Sequence, residues 1–263
     1  MSIARTASKV AFASADAFFL RPKGPRVLIY HQVGSGLGRQ MEVTTKDFVR
    51  QLDWLSEHRQ VVSLDEAVAR WDQPGSDHLV ALTFDDGYVD TYTTAYPLLK
   101  LRGFPFLVYL ATNSIETGVP LDPSGQADPL SWEQISEMMS SGLASIGAHT
   151  HRHTDLRGLP APAVEEELDT SNTLIERRLG THAAHFAYPW GYWSPEAAEV
   201  VNIRYETAAV TGSPRPSTTL NRHQLHRYPV QLSDGFRFFP SRLRGGLRAE
   251  EQMRRWLRGY SGP

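Results

Sequence analysis

Leu79-Val80-Ala81-Leu82-Thr83-Phe84-Asp85-Asp86-Gly87 joins an apolar, strand-length run to two adjacent carboxylates and a glycine that permits a sharp turn. Alone, Asp-Asp-Gly reads equally well as a solvated turn. Similar β-rich runs recur at Val27 to Tyr30, Phe106 to Leu110, Ala144 to Ala148, His185 to Tyr188, Thr207 to Val210 and Leu225 to Val230. Helical patterns alternate with them. Phe48, Leu52 and Leu55 form the apolar stripe of a helix over 46–58, Ser63 with Glu66 and Ser131 with Gln134 suggest capping boxes, and Ser194-Pro195 fits an N-cap and first helical position. The alternation predicts an α/β fold, and seven runs suit a single-domain (β/α) barrel. In such a barrel the chemistry sits on the loops that follow the strands.

Composition narrows the chemistry. The 263 residues carry a formal net charge of -2, with 41% hydrophobic and 21% charged residues, values of a globular chain with a substantial core. No basic field favours a nucleic acid as partner. With no cysteine, thiolate zinc sites, iron-sulfur clusters and cysteine nucleophiles are excluded, so any metal must take nitrogen and oxygen ligands. Residues 1–25 read as an N-terminal extension, 26–240 as the barrel domain and 241–263 as a C-terminal helical segment centred on 247–258. Within 1–20, Ser14 and Asp16 interrupt the apolar run of a signal peptide, and no stretch is long enough to span a bilayer. Ile3, Ala7, Val10, Phe18 and Phe19 instead mark an amphipathic helix that packs on the domain or touches a membrane surface. A monomer is expected, and the compartment stays open between cell envelope, exterior and cytoplasm.

A second constellation gives the carboxylates a partner. The run Ala144 to Ala148 leads into His149-Thr150-His151-Arg152-His153, where the i, i+4 spacing of His149 and His153 places two imidazoles on one side of a helical turn. Two histidines and one carboxylate are a common ligand set for catalytic zinc. His151 points away on that geometry, and His58, His78, His182 and His185 have no matching acid in the sequence. A third cluster, Phe186-Ala187-Tyr188-Pro189-Trp190-Gly191-Tyr192-Trp193, follows another strand. Its residues Tyr188 to Trp193 are core aromatics around a turn or the wall of a substrate groove, and their position on a loop after a strand favours the groove.

Thr83-Phe84-Asp85-Asp86-Gly87, His149-Thr150-x-x-His153 and Phe186-Ala187-Tyr188-Pro189-Trp190-Gly191, in this order, resemble the polysaccharide deacetylases, the NodB homology domain of family 4 carbohydrate esterases. The opening Tyr30-His31-Gln32-Val33 is similar to the bacterial branch that acts on exopolysaccharide, and the resemblance runs from about residue 26 to 235. It implies a distorted barrel of about seven strands and a metal-dependent hydrolase that removes N-acetyl groups, or as an alternative O-acetyl groups, from a polysaccharide. By motif position Asp86, His149 and His153 bind the metal and Asp85 is the general base. Zinc is the default ion, and Co2+, Ni2+ or Mn2+ suit the same ligands.

Expulsion of an amine also needs a proton donor. His31 and His226 are the candidates; His226 follows Leu225 directly, one position off the family's late Leu-x-His, so His31 is preferred. The family's arginine that orients the base is replaced by Ala187, no Asp-x-x-Asp-Trp-like segment follows Tyr205, and Arg227 is the expected substitute for the arginine. Two other readings stay open: a small-molecule amidohydrolase or deacylase on the same barrel, and a non-catalytic carbohydrate-binding module that keeps the metal as structure. An open aromatic groove would favour a polymer, and a pocket capped by the 112–130 insert would favour a small substrate.

Overall fold

The computed structural model of the chain describes residues 23–122, 124–212 and 220–245. The helices expected within 1–22 and around 247–258 lie outside the described residues. In chain order the strands are β1 (Arg26–Tyr30), β2 (Gln32–Val33), β3 (Glu42–Val43), β4 (Gln60–Val62), β5 (Leu79–Phe84), β6 (Phe106–Leu110), β7 (Ala144–Ala148), β8 (His185–Ala187), β9 (Thr207–Thr211) and β10 (Leu225–Pro229). All pairings of the main sheet are parallel, and its order β1-β10-β9-β8-β7-β6-β5 closes because β1 also pairs with β5, Tyr30 lying opposite Phe84. The seven expected strands form this ring. β4, which the sequence reading lacks, pairs with the first half of β5 while β6 pairs with the second.

Closure divides the apolar residues into two cores. Leu79, Ala81 and Tyr109 alternate with Val80, Leu82, Val108 and Leu110 along their strands, and the two sets fall into separate clusters. The smaller cluster, with Val27, Leu107, Ala187, Ala209 and Leu225, fills the barrel interior, and Leu64, Ala67, Val68 and Trp71 close it at the strands' N-terminal end. The larger one holds the outward faces against the helices, for instance Phe48, Leu52 and Leu55 of the helix Thr45–His58. With both faces covered, the strands read as continuous apolar runs rather than alternating ones, as parallel sheets do.

Two of the three expected caps form in full: Ser131 and Gln134 make a reciprocal capping box, and Ser194 accepts from the Ala197 amide ahead of the helix Pro195–Asn202. At Ser63 only half of the expected box forms, since its hydroxyl accepts from the Glu66 amide while the Glu66 carboxylate turns to Arg70 Nη1 at 2.7 Å. One helix, Gly235–Leu243, carries Pro240 in its interior and has no such signal. It buries Phe239 and Leu243 and closes on an ion pair of Arg242 Nε with Asp234 Oδ2 at 2.9 Å, so the packed fold continues past residue 240.

Candidate active site

Among the described residues, loops that leave the C-terminal ends of six ring strands, with Thr211 at the end of β9, contribute to one cavity of about 560 Å³. β1 brings His31, β5 brings Asp85 and Asp86, β7 brings His149 and His153, and β8 brings Trp190 and Tyr192. Asp86 and Gly87 follow one another with φ of 75° and 77°, which turns the two carboxylates in different directions. Asp85 points back toward the barrel. Arg227 Nη1 and Nη2 meet its two carboxylate oxygens at 2.6 and 2.8 Å, and Nη1 also donates to Thr83 Oγ1 at 3.1 Å. Both partners are almost wholly buried. Burial pushes the Asp85 carboxyl up, but Arg227, with His149 and His31, outweighs it and holds the group below its usual range.

Asp86 faces the histidines. Its Oδ1 lies 3.3 Å from Nε2 of both His149 and His153, and the three ligand atoms fall within 4.8 Å of one another. That oxygen is buried and makes no well-formed hydrogen bond. The reason is visible on His149, whose Nδ1 approaches the Ala187 carbonyl at 2.6 Å and must donate there. In a neutral ring Nε2 then presents a lone pair to a carboxylate, an arrangement that a cation resolves. The same groups act on one another's charges. Burial raises Asp86 and lowers His149, yet the facing groups reverse both, leaving Asp86 well below and His149 above their ordinary values. The residues therefore fit a divalent ion with nitrogen and oxygen preference.

The backbone here differs from the expected helical turn. Residues 149–155 form no helix; Thr150 and His153 adopt φ of 62° and 55° and bring the imidazoles together, ring centroids 4.9 Å apart. Asp86, Thr150, His153 and Trp190 are the four non-glycine residues with positive φ among the described ones, and all stand at this rim. For a bulky Trp at φ 56° this is an uncommon conformation. The following Gly191 is required by space as well, since a Cβ there would fall onto the Thr211 backbone nitrogen. The turn sets the Trp190 ring 4.4 Å from that of His153, with Trp190 half exposed.

Four of the six expected groove residues do not line the cavity. Tyr188 is buried with its ring against Phe186 in the outer core, Trp193 packs on that core, and Pro189 and Gly191 are buried turn positions. Strand parity explains Tyr188, which follows Phe186 by two residues and faces the same way. His226 is also displaced: its Nδ1 contacts the Gly212 carbonyl at 3.1 Å and it is not among the cavity-lining residues, whereas His31 is. Burial holds His31 below the ordinary histidine range against the opposing pull of Asp86 and Asp85, and its Nδ1 has no partner. His185 has an acid partner after all, Asp65 at 3.0 Å, but it begins β8 at the opposite end of the strands. His151 contacts Thr112 Oγ1 through Nδ1 at 3.0 Å.

Other lining residues escaped the sequence reading. Arg39, Gln40 and Met41 come from the loop between β2 and β3, whose Gly36 and Gly38 amides are tied to the Glu42 carboxylate at 2.6 and 2.7 Å. Across the cavity, Leu121 and Asp122 come from the insert after β6, and Arg39 Nη2 joins the two sides by a 2.6 Å contact to Asp122 Oδ2. The glycines of the first loop are a visible signal; the pairing with a loop so distant in sequence leaves none. No described helix is long and apolar enough to cross a membrane.

Comparison with known proteins places this arrangement. The sequence profile described as polysaccharide deacetylase matches residues 72–206, just over half of the chain. The Bacillus subtilis protein YxkH is 29% identical over 219 residues, covering 82% of this chain and 74% of its own length. The poly-beta-1,6-N-acetyl-D-glucosamine N-deacetylase of Staphylococcus epidermidis is 28% identical over 161 residues, covering 59% of this chain and 53% of its own. Among solved structures, IcaB from Ammonifex degensii superposes with a TM-score of 0.69 at 26% identity, over 85% of this chain and 97% of that one.

Proposed function

Because this chain belongs to the polysaccharide deacetylase family, we propose that it is a hydrolase that removes N-acetyl groups from an acetylated polysaccharide, with a divalent ion held by Asp86, His149 and His153. The observation that carries the reading is the contrast within the Asp-Asp pair: a buried Asp86 Oδ1 facing two imidazoles without a hydrogen bond, beside an Asp85 fully engaged by Arg227. A divalent ion, zinc by default, supplies Lewis-acid polarisation of the acyl carbonyl and acidifies water. Asp85 is the group that accepts the water's proton, because its pKa is held down and it is therefore anionic at neutral pH. Arg227 fixes its orientation and takes the place of the arginine missing at Ala187. In the turn Tyr188–Gly191 the amides of Tyr188 and Gly191 are spent on carbonyls, which leaves the Trp190 N–H to meet the oxygen on which negative charge develops.

His31 delivers the proton to the departing amine. Burial pushes its imidazole below the ordinary range against the pull of Asp86 and Asp85, and it takes up from bulk water the proton it passes on, as negative charge develops on the acyl oxygen beside it. Trp190 and Tyr192 offer apolar faces to the sugar ring. The poly-beta-1,6-N-acetyl-D-glucosamine N-deacetylase named above makes a β-1,6-linked N-acetylglucosamine chain the first substrate to try.

A small acylated substrate remains the second reading, since the Arg39 to Asp122 contact bounds the cavity on the side of the insert. The non-catalytic alternative is disfavoured, because a purely structural ion needs no second carboxylate held anionic beside it. Acetate release from β-1,6-linked N-acetylglucosamine oligomers, chito-oligosaccharides and acetylated xylan, with chelator and with Zn2+, Co2+, Ni2+ or Mn2+ restored, tests the proposal. Chelator-sensitive release from a glycan is expected. Release only from small acylated compounds would replace the polymer reading.

A further inference from the structure

The barrel interior contains an anomaly beneath Asp85. Most side chains there are small or aliphatic, Ala81, Ala187 and Ala209 among them, yet Arg227 and Tyr109 are both large and fully buried in it. The Arg227 guanidinium carbon lies 5.1 Å from the centroid of the Tyr109 ring. Space for that ring is reserved by the neighbouring strand. A Cβ at Gly147 would come within 2.6 Å of Tyr109 Cδ1, and Gly147 is opposite Tyr109 in the β6–β7 register. The three alanines and Gly147 thus leave room for one ring and one guanidinium.

We propose that Tyr109 is a positioning residue: its ring face supports the Arg227 guanidinium in the orientation that grips both oxygens of Asp85. Arg227 already donates through Nη1 and Nη2, but its Nε has no hydrogen-bond partner and the Tyr109 hydroxyl has none either. The contact between the two side chains is therefore that of the guanidinium carbon over the ring, with no hydrogen bond between them. In a water-excluded interior such a contact is at the strong end of cation–π interactions. Val, Leu or Ile in its place would fill volume without attracting the cation. The functional part of this inference rests on the reading of Asp85 as the base.

The test replaces Tyr109 with Phe and with pentafluorophenylalanine, which has nearly the same shape but a reversed ring quadrupole. With the zinc-loaded enzyme and a β-1,6-linked N-acetylglucosamine pentamer, Tyr109→Phe is expected to keep kcat within about twofold. The fluorinated variant should lose roughly 10- to 30-fold in kcat with KM and bound zinc unchanged. Equal kcat in the two variants, or an equal loss in both, would overturn the proposal. A second readout does not need turnover. The side-chain 15N–1H resonances of Arg227, assigned by their loss in Arg227→Lys, should carry a ring-current shift that Phe preserves and Tyr109→Leu abolishes. Resonances unmoved in Tyr109→Leu would remove the contact itself. If Asp85→Asn turned over the pentamer like the parent enzyme, the base assignment would fall while these resonances still decided the role of Tyr109.

Discussion

Asp85 and Asp86 are consecutive, both buried, and solve opposite problems. Asp85 looks into the barrel and has its charge matched there by a guanidinium; Asp86 looks at the rim, where two imidazoles approach one oxygen and neither satisfies it. A third carboxylate shows what burial does without either solution. Asp90 accepts the Val33 amide through Oδ1 at 3.1 Å, and burial pushes it up to about 7, with Glu42 adding to the rise against that amide bond. Low pKa values at Asp85 and Asp86 thus come from specific cationic or imidazole neighbours, and each neighbour can be removed separately.

The largest effect is expected where the two carboxylates part company. His149→Ala should abolish both bound zinc and acetate release, whereas Asp85→Asn should keep zinc and lose about 10²- to 10⁴-fold in turnover; metal analysis beside an acetate assay separates them. Equal loss of zinc in both variants would erase the distinction. Next, Arg227→Ala leaves a buried carboxylate without its cation and should destabilise the fold by about 3–5 kcal/mol in urea titration. A smaller change would mean that water reaches Asp85. At the rim, Trp190→Ala should raise KM about tenfold with little change in kcat, as loss of uniform binding does.

The smallest effect concerns Asp90, and its sign is opposite to that of a paired carboxylate. Its folded pKa of about 7 lies above the ordinary 3.8, so the native state holds the extra proton between those values and stability falls as pH rises from about 4 to about 7. Asp90→Asn keeps the acceptor for Val33 and cannot ionise. Its melting temperature should therefore match the parent near pH 4 and exceed it by a margin that grows up to pH 7 and then levels off.

Much of this was readable in the chain because the informative signals are local. The ring strands and the helix caps each sit in a short segment whose pattern is its own evidence, and Asp85-Asp86, weak alone, became readable through the order of the motifs that also hold His149 and His153. Ala187 even pointed to Arg227, since a missing cation must be supplied from elsewhere. Spacing misled where the backbone leaves ordinary geometry: His149 and His153 converge through left-handed residues rather than through a helix. The aromatic loop misled for a different reason. Tyr188 and Trp193 serve the outer core, and it is the turn through Trp190, with its φ of 56°, that brings Trp190 and Tyr192 to the cavity instead. Tyr109 with Gly147, and Arg39 with Asp122, were invisible because each is a contact between segments far apart in sequence, and no pattern in either segment names its partner.

Closure of the ring has a kinetic consequence. Arg227 is carried by the last strand and Asp85 lies 142 residues earlier, so the carboxylate acquires its counter-charge only when β10 has docked between β1 and β9. A chain in which that long-range contact has not formed leaves Asp85 without its cation and β1 and β9 without the strand that pairs with both. Completion of the fold and arming of the base are then one event, and a chain stalled before its last strand would be both inactive and prone to self-association.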